Sequence, residues 1–111
     1  MHPRSADNID NLNRSAEYIK EVFVSSGARV TSQDVPITGG PYKNIVADYG
    51  PADGPLIIIG AHYDSASSYE NDQLTYTPGA DDNASGVAGL LELARLLHQQ
   101  VPKTGVQLVA Y

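Results

Sequence analysis

The chain contains no cysteine. A disulfide framework and a cysteine-based zinc finger are therefore excluded, while the redox compartment stays undecided. No apolar run approaches the roughly 20 residues of a membrane span. The opening Met1-His2-Pro3-Arg4-Ser5 has none of the apolar stretch of a signal peptide. No membrane partner is expected, and localisation is left unknown. Internal repeats and low-complexity segments are missing as well. Basic residues are few, 7 lysines and arginines against 13 acidic side chains, for a formal charge of −6. Nucleic acid is therefore not an expected partner, because phosphate binding needs a basic stripe. The deficit is also local. Between Lys43 and Arg95 there is no lysine or arginine, yet Asp48, Asp53, Asp64, Glu70, Asp72, Asp81, Asp82 and Glu92 all fall there. Either these carboxylates form a solvated acidic surface, or some of them neutralise a cation that is not part of the chain.

What is present suits one domain. A chain of 111 residues has no room for two full-sized units. With 41% hydrophobic residues it can bury a modest core. From about Ala6 to Ser26 the apolar residues Ile9, Leu12, Ala16, Ile19, Val22 and Phe23 recur three or four apart, which is one helical face, and Gly27 is placed to end it. A strand over 29–36, a turn at Thr38-Gly39-Gly40-Pro41 and a strand over 44–49 read as a hairpin. The run 56–62 is apolar at every position up to His62. That pattern predicts a strand in the middle of a sheet, buried on both faces. Residues 65–79 read as a long polar loop of the kind that carries function. A helix over 84–100 follows, with Val87, Leu90, Leu91, Ala94 and Leu97 facing the core, then a second central strand over 105–111. Strand, helical crossover and strand make a right-handed βαβ unit with parallel strands. The expected class is α/β, a helix-flanked mixed sheet around that unit.

Two clusters could carry chemistry. His62 and Asp64 stand at the end of the apolar strand, two apart, so their side chains leave on the same side. Ligands of open α/β sheets gather beyond the carboxyl ends of the strands. A carboxylate that accepts one ring N–H of a histidine leaves the other nitrogen free for a metal, although such a pair is also an ordinary structural hydrogen bond. The second cluster, Pro78-Gly79-Ala80-Asp81-Asp82-Asn83-Ala84-Ser85-Gly86, meets the start of the second helix. Capping accounts for one acidic residue or for Asn83, but does not call for two adjacent carboxylates. If the βαβ geometry brings both clusters to one sheet edge, a divalent ion reconciles them, and imidazole with carboxylate favours zinc. Gly-x-Ser-x-Gly, Walker, Gly-x-Gly-x-x-Gly and His-Glu-x-x-His signatures are absent. Asn13-Arg14-Ser15 and Asn83-Ala84-Ser85 fit the glycosylation pattern but are discounted as chance matches. His98 is expected on the surface near the end of its own helix, and His2 has no context.

The order Gly-Ala-His62-Tyr-Asp64-Ser, polar loop, Pro-Gly-Ala-Asp81-Asp82-Asn-Ala-Ser-Gly, helix, Val-Gln-Leu-Val-Ala-Tyr resembles the di-zinc peptidases of metallopeptidase family M28, which include zinc aminopeptidases and relatives of glutamate carboxypeptidase. The likeness extends upstream through Tyr42-Lys43-Asn44-Ile45-Val46-Ala47 to the first helix. It implies a zinc-dependent exopeptidase lineage, with a peptide as substrate in the full-length enzyme. It also implies that His62 is a terminal zinc ligand and Asp82 the carboxylate bridging two zinc ions. Asp64 orients His62 from behind, and Asp81 is a neighbour of the site. In the family, water activated by two zinc ions hydrolyses amino-terminal peptide bonds. A Glu-Glu pair carrying the general base and one ligand follows the strand equivalent to 105–111, and a further Asp and His ligand come later. Residues 1–111 are accordingly expected to be the amino-terminal portion of one catalytic domain, inactive alone and weak or empty at zinc. The last strand is expected to end in mid-sheet and to promote self-association through an exposed edge. Rival readings are the related di-zinc carboxypeptidases and deacylases, whose His-x-Asp is generally followed by a proline-containing turn rather than Ser65-Ala66-Ser67, and a catalytically dead interaction domain. Retention of His62, Asp64 and Asp82 argues against the latter.

Overall fold

The computed structural model describes residues 4–111, so His2 lies outside the described residues. Helix α1 (Ile9–Ser25) starts after Asn8, whose side chain accepts the Asn11 N–H at 3.3 Å and caps the helix. It ends at Ser26, and Gly27 then takes the left-handed φ of +79° that glycine adopts without strain. Its buried face is Leu12, Ala16, Ile19 and Phe23, four of the six periodic apolar positions.

Strands β1 (Arg29–Ile37) and β2 (Gly40–Tyr49) form the expected antiparallel hairpin. Then come β3 (Leu56–Ala61), helix α2 (Ser85–Gln99) and β6 (Gly105–Ala110). β3 and β6 pair in parallel from Leu56↔Gly105 to Ala61↔Ala110, so the βαβ unit is present. The main sheet has the order β1-β2-β6-β3 and is mixed, because β6 runs antiparallel to β2 and parallel to β3. α1 packs on β2, and α2 packs on β3 and β6. Between helices and sheet lies one core, in which Phe23, Ile45, Ala47, Leu90, Ala94 and Leu108 are at most 2% exposed. Among the described residues, no helix is long and apolar enough to cross a membrane.

The structure corrects three expectations. β3 is not a central strand buried on both faces. It is an edge strand, and Leu56, Ile57, Ile58 and Ile59 remain 51%, 53%, 57% and 36% exposed. β6 is the central strand expected, but it leaves no unpaired edge. It has β2 on one side and β3 on the other, and is the strand buried along nearly its whole length. An unbroken apolar run reports that both faces want cover; it does not report how much of that cover is present. The stretch 65–79 is not loop throughout. It contains a small hairpin of β4 (Ser67–Glu70) and β5 (Gln73–Tyr76). Its turn residues Asn71 and Asp72 have φ of +49° and +60°, a conformation that Asn and Asp tolerate better than other non-glycine residues. Polar composition hid these strands because their exposed side chains gave no apolar alternation.

The burial contrast predicts unequal costs for truncation within one sheet. Leu108→Ala, at a fully buried position, is expected to destabilise the chain by about 2–5 kcal/mol. Ile58→Ala on the uncovered strand is expected to cost at most about 0.5 kcal/mol. Urea unfolding followed by circular dichroism compares the two. Measured where the chain is monomeric, equal losses would show that the chain itself covers β3.

Candidate metal centre

Beyond the last residue of β3 the chain keeps a two-residue alternation. Ala61, Tyr63 and Ser65 are buried, whereas His62 and Asp64 are exposed. Pairing with the last strand continues here, through Tyr63 N–H to Tyr111 O at 2.9 Å and Tyr111 N–H to Ala61 O at 3.0 Å. The inward residues act as anchors. Tyr63 donates its hydroxyl to Lys43 O at 2.5 Å and sets its ring edge-on to Tyr42, 6.5 Å between centroids. Burial pushes its phenol up to about 12. Ser65 accepts the Arg4 N–H on its hydroxyl at 3.0 Å and returns its own N–H to Arg4 O at 3.0 Å. With Tyr63 and Ser65 fixed inward, His62 and Asp64 share the outward side.

The second cluster is a wide turn over Ala80–Ala84 that leads into α2, closed by Ala84 N–H to Gly79 O at 2.9 Å. Gly79 opens it with a φ of +66°. Inside the turn Asp82 and Asn83 leave helical geometry, at φ, ψ of −114°, 89° and −138°, 41°, and the peptide between them is cis. The capping question is answered by Asn83, whose side-chain oxygen accepts the Gly86 N–H at 3.1 Å. A Cβ on Gly86 would lie 2.4 Å from that same oxygen, so the cap needs glycine there. Neither Asp81 nor Asp82 is used as the cap. The Asp81 main-chain oxygen accepts the Ser85 hydroxyl at 2.8 Å.

The two clusters meet at one imidazole. His62 Nδ1 lies 2.7 Å from Asp64 Oδ1, and His62 Nε2 lies 3.0 Å from Asp82 Oδ1. Ionised carboxylates only accept hydrogen bonds, so satisfying both at once requires both ring nitrogens to carry protons. The His62 pKa is accordingly raised. The hydrogen bond to Asp64 is the main cause and the charges of Asp64 and Asp82 add to it, against a smaller opposing effect of burial. The side chains of His62 and Asp64 are about half exposed, at 47% and 51%. The centre is therefore open surface rather than a closed pocket.

The same geometry can be asked whether it fits a metal. Two ligand atoms held about 2.0–2.1 Å from a tetrahedral zinc stand about 3.3–3.4 Å apart. The 3.0 Å between His62 Nε2 and Asp82 Oδ1 is close to that separation. Asp64 holds the other ring nitrogen, as the carboxylate behind a ligating histidine does. Two donors therefore fit part of a zinc site. Among the described residues no group of three or more His, Cys, Asp or Glu side chains could hold a metal.

Sequence reasoning missed Arg4. Its guanidinium donates Nε to Tyr63 O at 3.0 Å, Nη1 to Pro78 O at 3.3 Å and Nη2 to Gly79 O at 2.8 Å, so it touches both clusters. An arginine between Pro3 and Ser5, ahead of the first periodic segment, carries no pattern that marks such a role. His98 is exposed near the end of its helix as expected, and it makes a further contact. Its ring Nδ1 lies 3.0 Å from Ser26 O, so it meets the end of α1 rather than only the end of its own helix.

A pH prediction follows from the His62 geometry. In the metal-free chain His62 is expected to titrate above the ordinary imidazole value, and Asp64→Asn is expected to lower its pKa more than Asp82→Asn, by NMR of the ring resonances. Because the folded pKa is raised, the contribution to stability is fully present below about pH 6.5 and fades as pH rises through the folded pKa. An unshifted His62 in the unsubstituted chain would contradict the bracketed ring.

Known proteins resemble the chain over most of its length. Residues 44–111 match peptidase family M28. The uncharacterized protein YfbL of Escherichia coli (strain K12) is 99% identical over all 111 residues, which are 34% of its length. A protein of Trichophyton verrucosum (strain HKI 0517) named probable leucine aminopeptidase is 32% identical over 91 residues, 82% of this chain and 24% of that protein. Among solved structures, the glutaminyl cyclase of Bacteroides thetaiotaomicron superposes with a TM-score of 0.81 at 31% identity, covering 97% of this chain and 40% of that one. A Zn-dependent exopeptidase from Parabacteroides distasonis ATCC 8503 gives 0.83 at 28%, covering 98% and 40%. The chain thus spans about a third of its near-identical relative. On the match across more than half its residues, it belongs to peptidase family M28.

Proposed function

We propose that residues 1–111 are the amino-terminal portion of a zinc-peptidase catalytic domain, and that the whole domain hydrolyses amino-terminal peptide bonds. The observation that carries this reading is the single imidazole held by Asp64 on one nitrogen and facing Asp82 across 3.0 Å on the other. In this reading His62 and Asp82 are zinc donors, with Asp82 as the residue shared by two ions, and Asp64 orients His62. Zinc, when bound, would polarise the scissile carbonyl and acidify water. His62 and Asp64 would keep one imidazole nitrogen aimed at the metal position, with the Asp82 carboxylate opposite it. Structural and catalytic zinc sites use three or four protein ligands. With two, the 111-residue chain alone is expected to bind zinc weakly and to lack peptidase activity.

Zinc titration by calorimetry tests the donors. Wild-type chain is expected to bind weakly, and His62→Ala and Asp82→Asn to bind at least about tenfold more weakly still. Equal affinity in all three would remove the metal reading and favour an interaction domain. Activity is assayed on amino-acid chromogenic amides, with the 111-residue chain expected to be silent and the full-length Escherichia coli relative expected to release amino acid. The likeness to glutaminyl cyclase supports a second reading, so the same relative is offered a peptide with amino-terminal glutamine. Release of ammonia with the peptide left intact would select cyclisation over hydrolysis.

The partner reading is also ours. We propose self-association of the 111-residue chain through the outer edge of β3, which has no strand partner among the described residues and carries four successive exposed aliphatic residues. Sedimentation velocity across a wide concentration range is expected to show oligomers that Ile58→Lys abolishes. A monomer at every concentration would count against it.

A further inference from the structure

Arg4 has an unusual set of partners. Among the described residues its guanidinium donates three hydrogen bonds, all to main-chain carbonyls: Tyr63 O on the strand that carries His62 and Asp64, and Pro78 O and Gly79 O on the segment entering the turn that carries Asp82. One planar group therefore spans the two segments whose spacing sets the His62–Asp82 distance. A guanidinium suits this, because its donors are fixed in one plane and point in several directions at once, whereas an ammonium is a single point charge. The fit is tight on the turn side, where a Cβ added to Gly79 would lie 2.7 Å from Arg4 Nη2 and 2.9 Å from Asp82 O.

The main chain of Arg4 is held separately. Its N–H and C=O both bond to Ser65, at 3.0 Å each, without help from the guanidinium. Arg4 is thus tethered to the strand end through its own main chain, and its side chain has a distinct task, the reach across to Pro78 and Gly79. We propose that Arg4 is a positioning residue that sets the separation between His62 and Asp82. The inference rests on the reading of those two side chains as the donors of the centre. It adds that their spacing is imposed from outside the two motifs, by a side chain that ligates nothing.

The consequence is specific. Asp64 lies on the same strand end as His62, so their contact is local. Asp82 lies across a gap that Arg4 closes. Loss of the guanidinium should uncouple His62 from Asp82 while leaving His62 coupled to Asp64. A merely structural tether would weaken both contacts or neither.

The test reads the His62 ring by NMR in the metal-free 111-residue chain at about pH 5, where imidazole is protonated and carboxylates are ionised. Asp82→Asn and Asp64→Asn are each made in wild-type and in Arg4→Gln backgrounds. In wild type both substitutions are expected to move the His62 ring resonances. In Arg4→Gln the effect of Asp82→Asn is expected to be lost and that of Asp64→Asn retained. An undiminished effect of Asp82→Asn in Arg4→Gln overturns the proposal. If Arg4→Gln does not fold, the same comparison is made in Arg4→Lys, which keeps the charge and the backbone tether but not the fork, and the same two outcomes decide. Zinc alone is then titrated into folded variants, where Arg4→Gln is expected to weaken binding roughly tenfold or more. Indistinguishable zinc binding by wild type and His62→Ala would defeat the metal reading, whereas retained His62–Asp82 coupling in the Arg4 variant defeats the positioning role.

Discussion

The parallel pairing of β3 with β6 is the constraint on which the site depends. Parallel neighbours cannot be joined by a tight turn, so the chain leaves the carboxyl end of β3 and must return to its amino end before β6 begins. The return is made by α2, which therefore starts at the sheet edge where β3 stops. Whatever immediately precedes α2 is carried to that edge too. This is how residues 20 apart in sequence, His62 and Asp82, come to face each other at 3.0 Å. The site is a property of the crossover before it is a property of its side chains.

That logic explains which parts were legible in the sequence. The 56–62 run, the 84–100 periodicity and the 105–111 run together specify the crossover, and the two-residue spacing of His62 and Asp64 specifies a shared side. These are local patterns with one geometric consequence each. Strand order was not legible in the same way. The apolar run at Leu56–Ile59 is as continuous as one flanked by neighbours on both sides, but among the described residues only β6 lies beside it. Periodicity describes what a strand would bury, whereas exposure depends on which other segments are there to cover it. Arg4 was illegible for a further reason. It binds carbonyl oxygens, which every residue possesses, so no pattern of side chains in Tyr63, Pro78 or Gly79 betrays the contact.

The acidic stretch between Lys43 and Arg95 resolves into unlike parts. Glu92 pairs with Arg95 one helical turn away, which is the ordinary solvated arrangement. Asp48 accepts the side-chain amide of Gln107 across the β2–β6 ladder at 2.9 Å, a cross-strand pair. Asp64 and Asp82 differ from both, because they converge on one imidazole from opposite sides. Helix capping, the simplest alternative for Asp82, is already performed by Asn83. Charge balance alone thus says little, and the direction in which each carboxylate is aimed says much more.

Two carboxylates around one imidazole leave the centre one negative charge in excess even when the ring is protonated. The hydrogen bond to Asp64 is the main reason that the ring holds its proton more firmly than a free histidine does, and these charges add to it. The nitrogen facing Asp82 cannot carry a proton and a cation together, so under the zinc reading the two compete for one position. Asp64 acts in the same sense in both states, since it binds the Nδ1–H of the imidazolium and equally that of a neutral, ligating ring. Under the same reading Asp82 would change partner, from the imidazole nitrogen to the cation. The two acidic residues therefore differ in kind. One belongs to the histidine whatever is bound, and the other is held near it only by the turn before α2 and by whatever fixes that turn against the strand end.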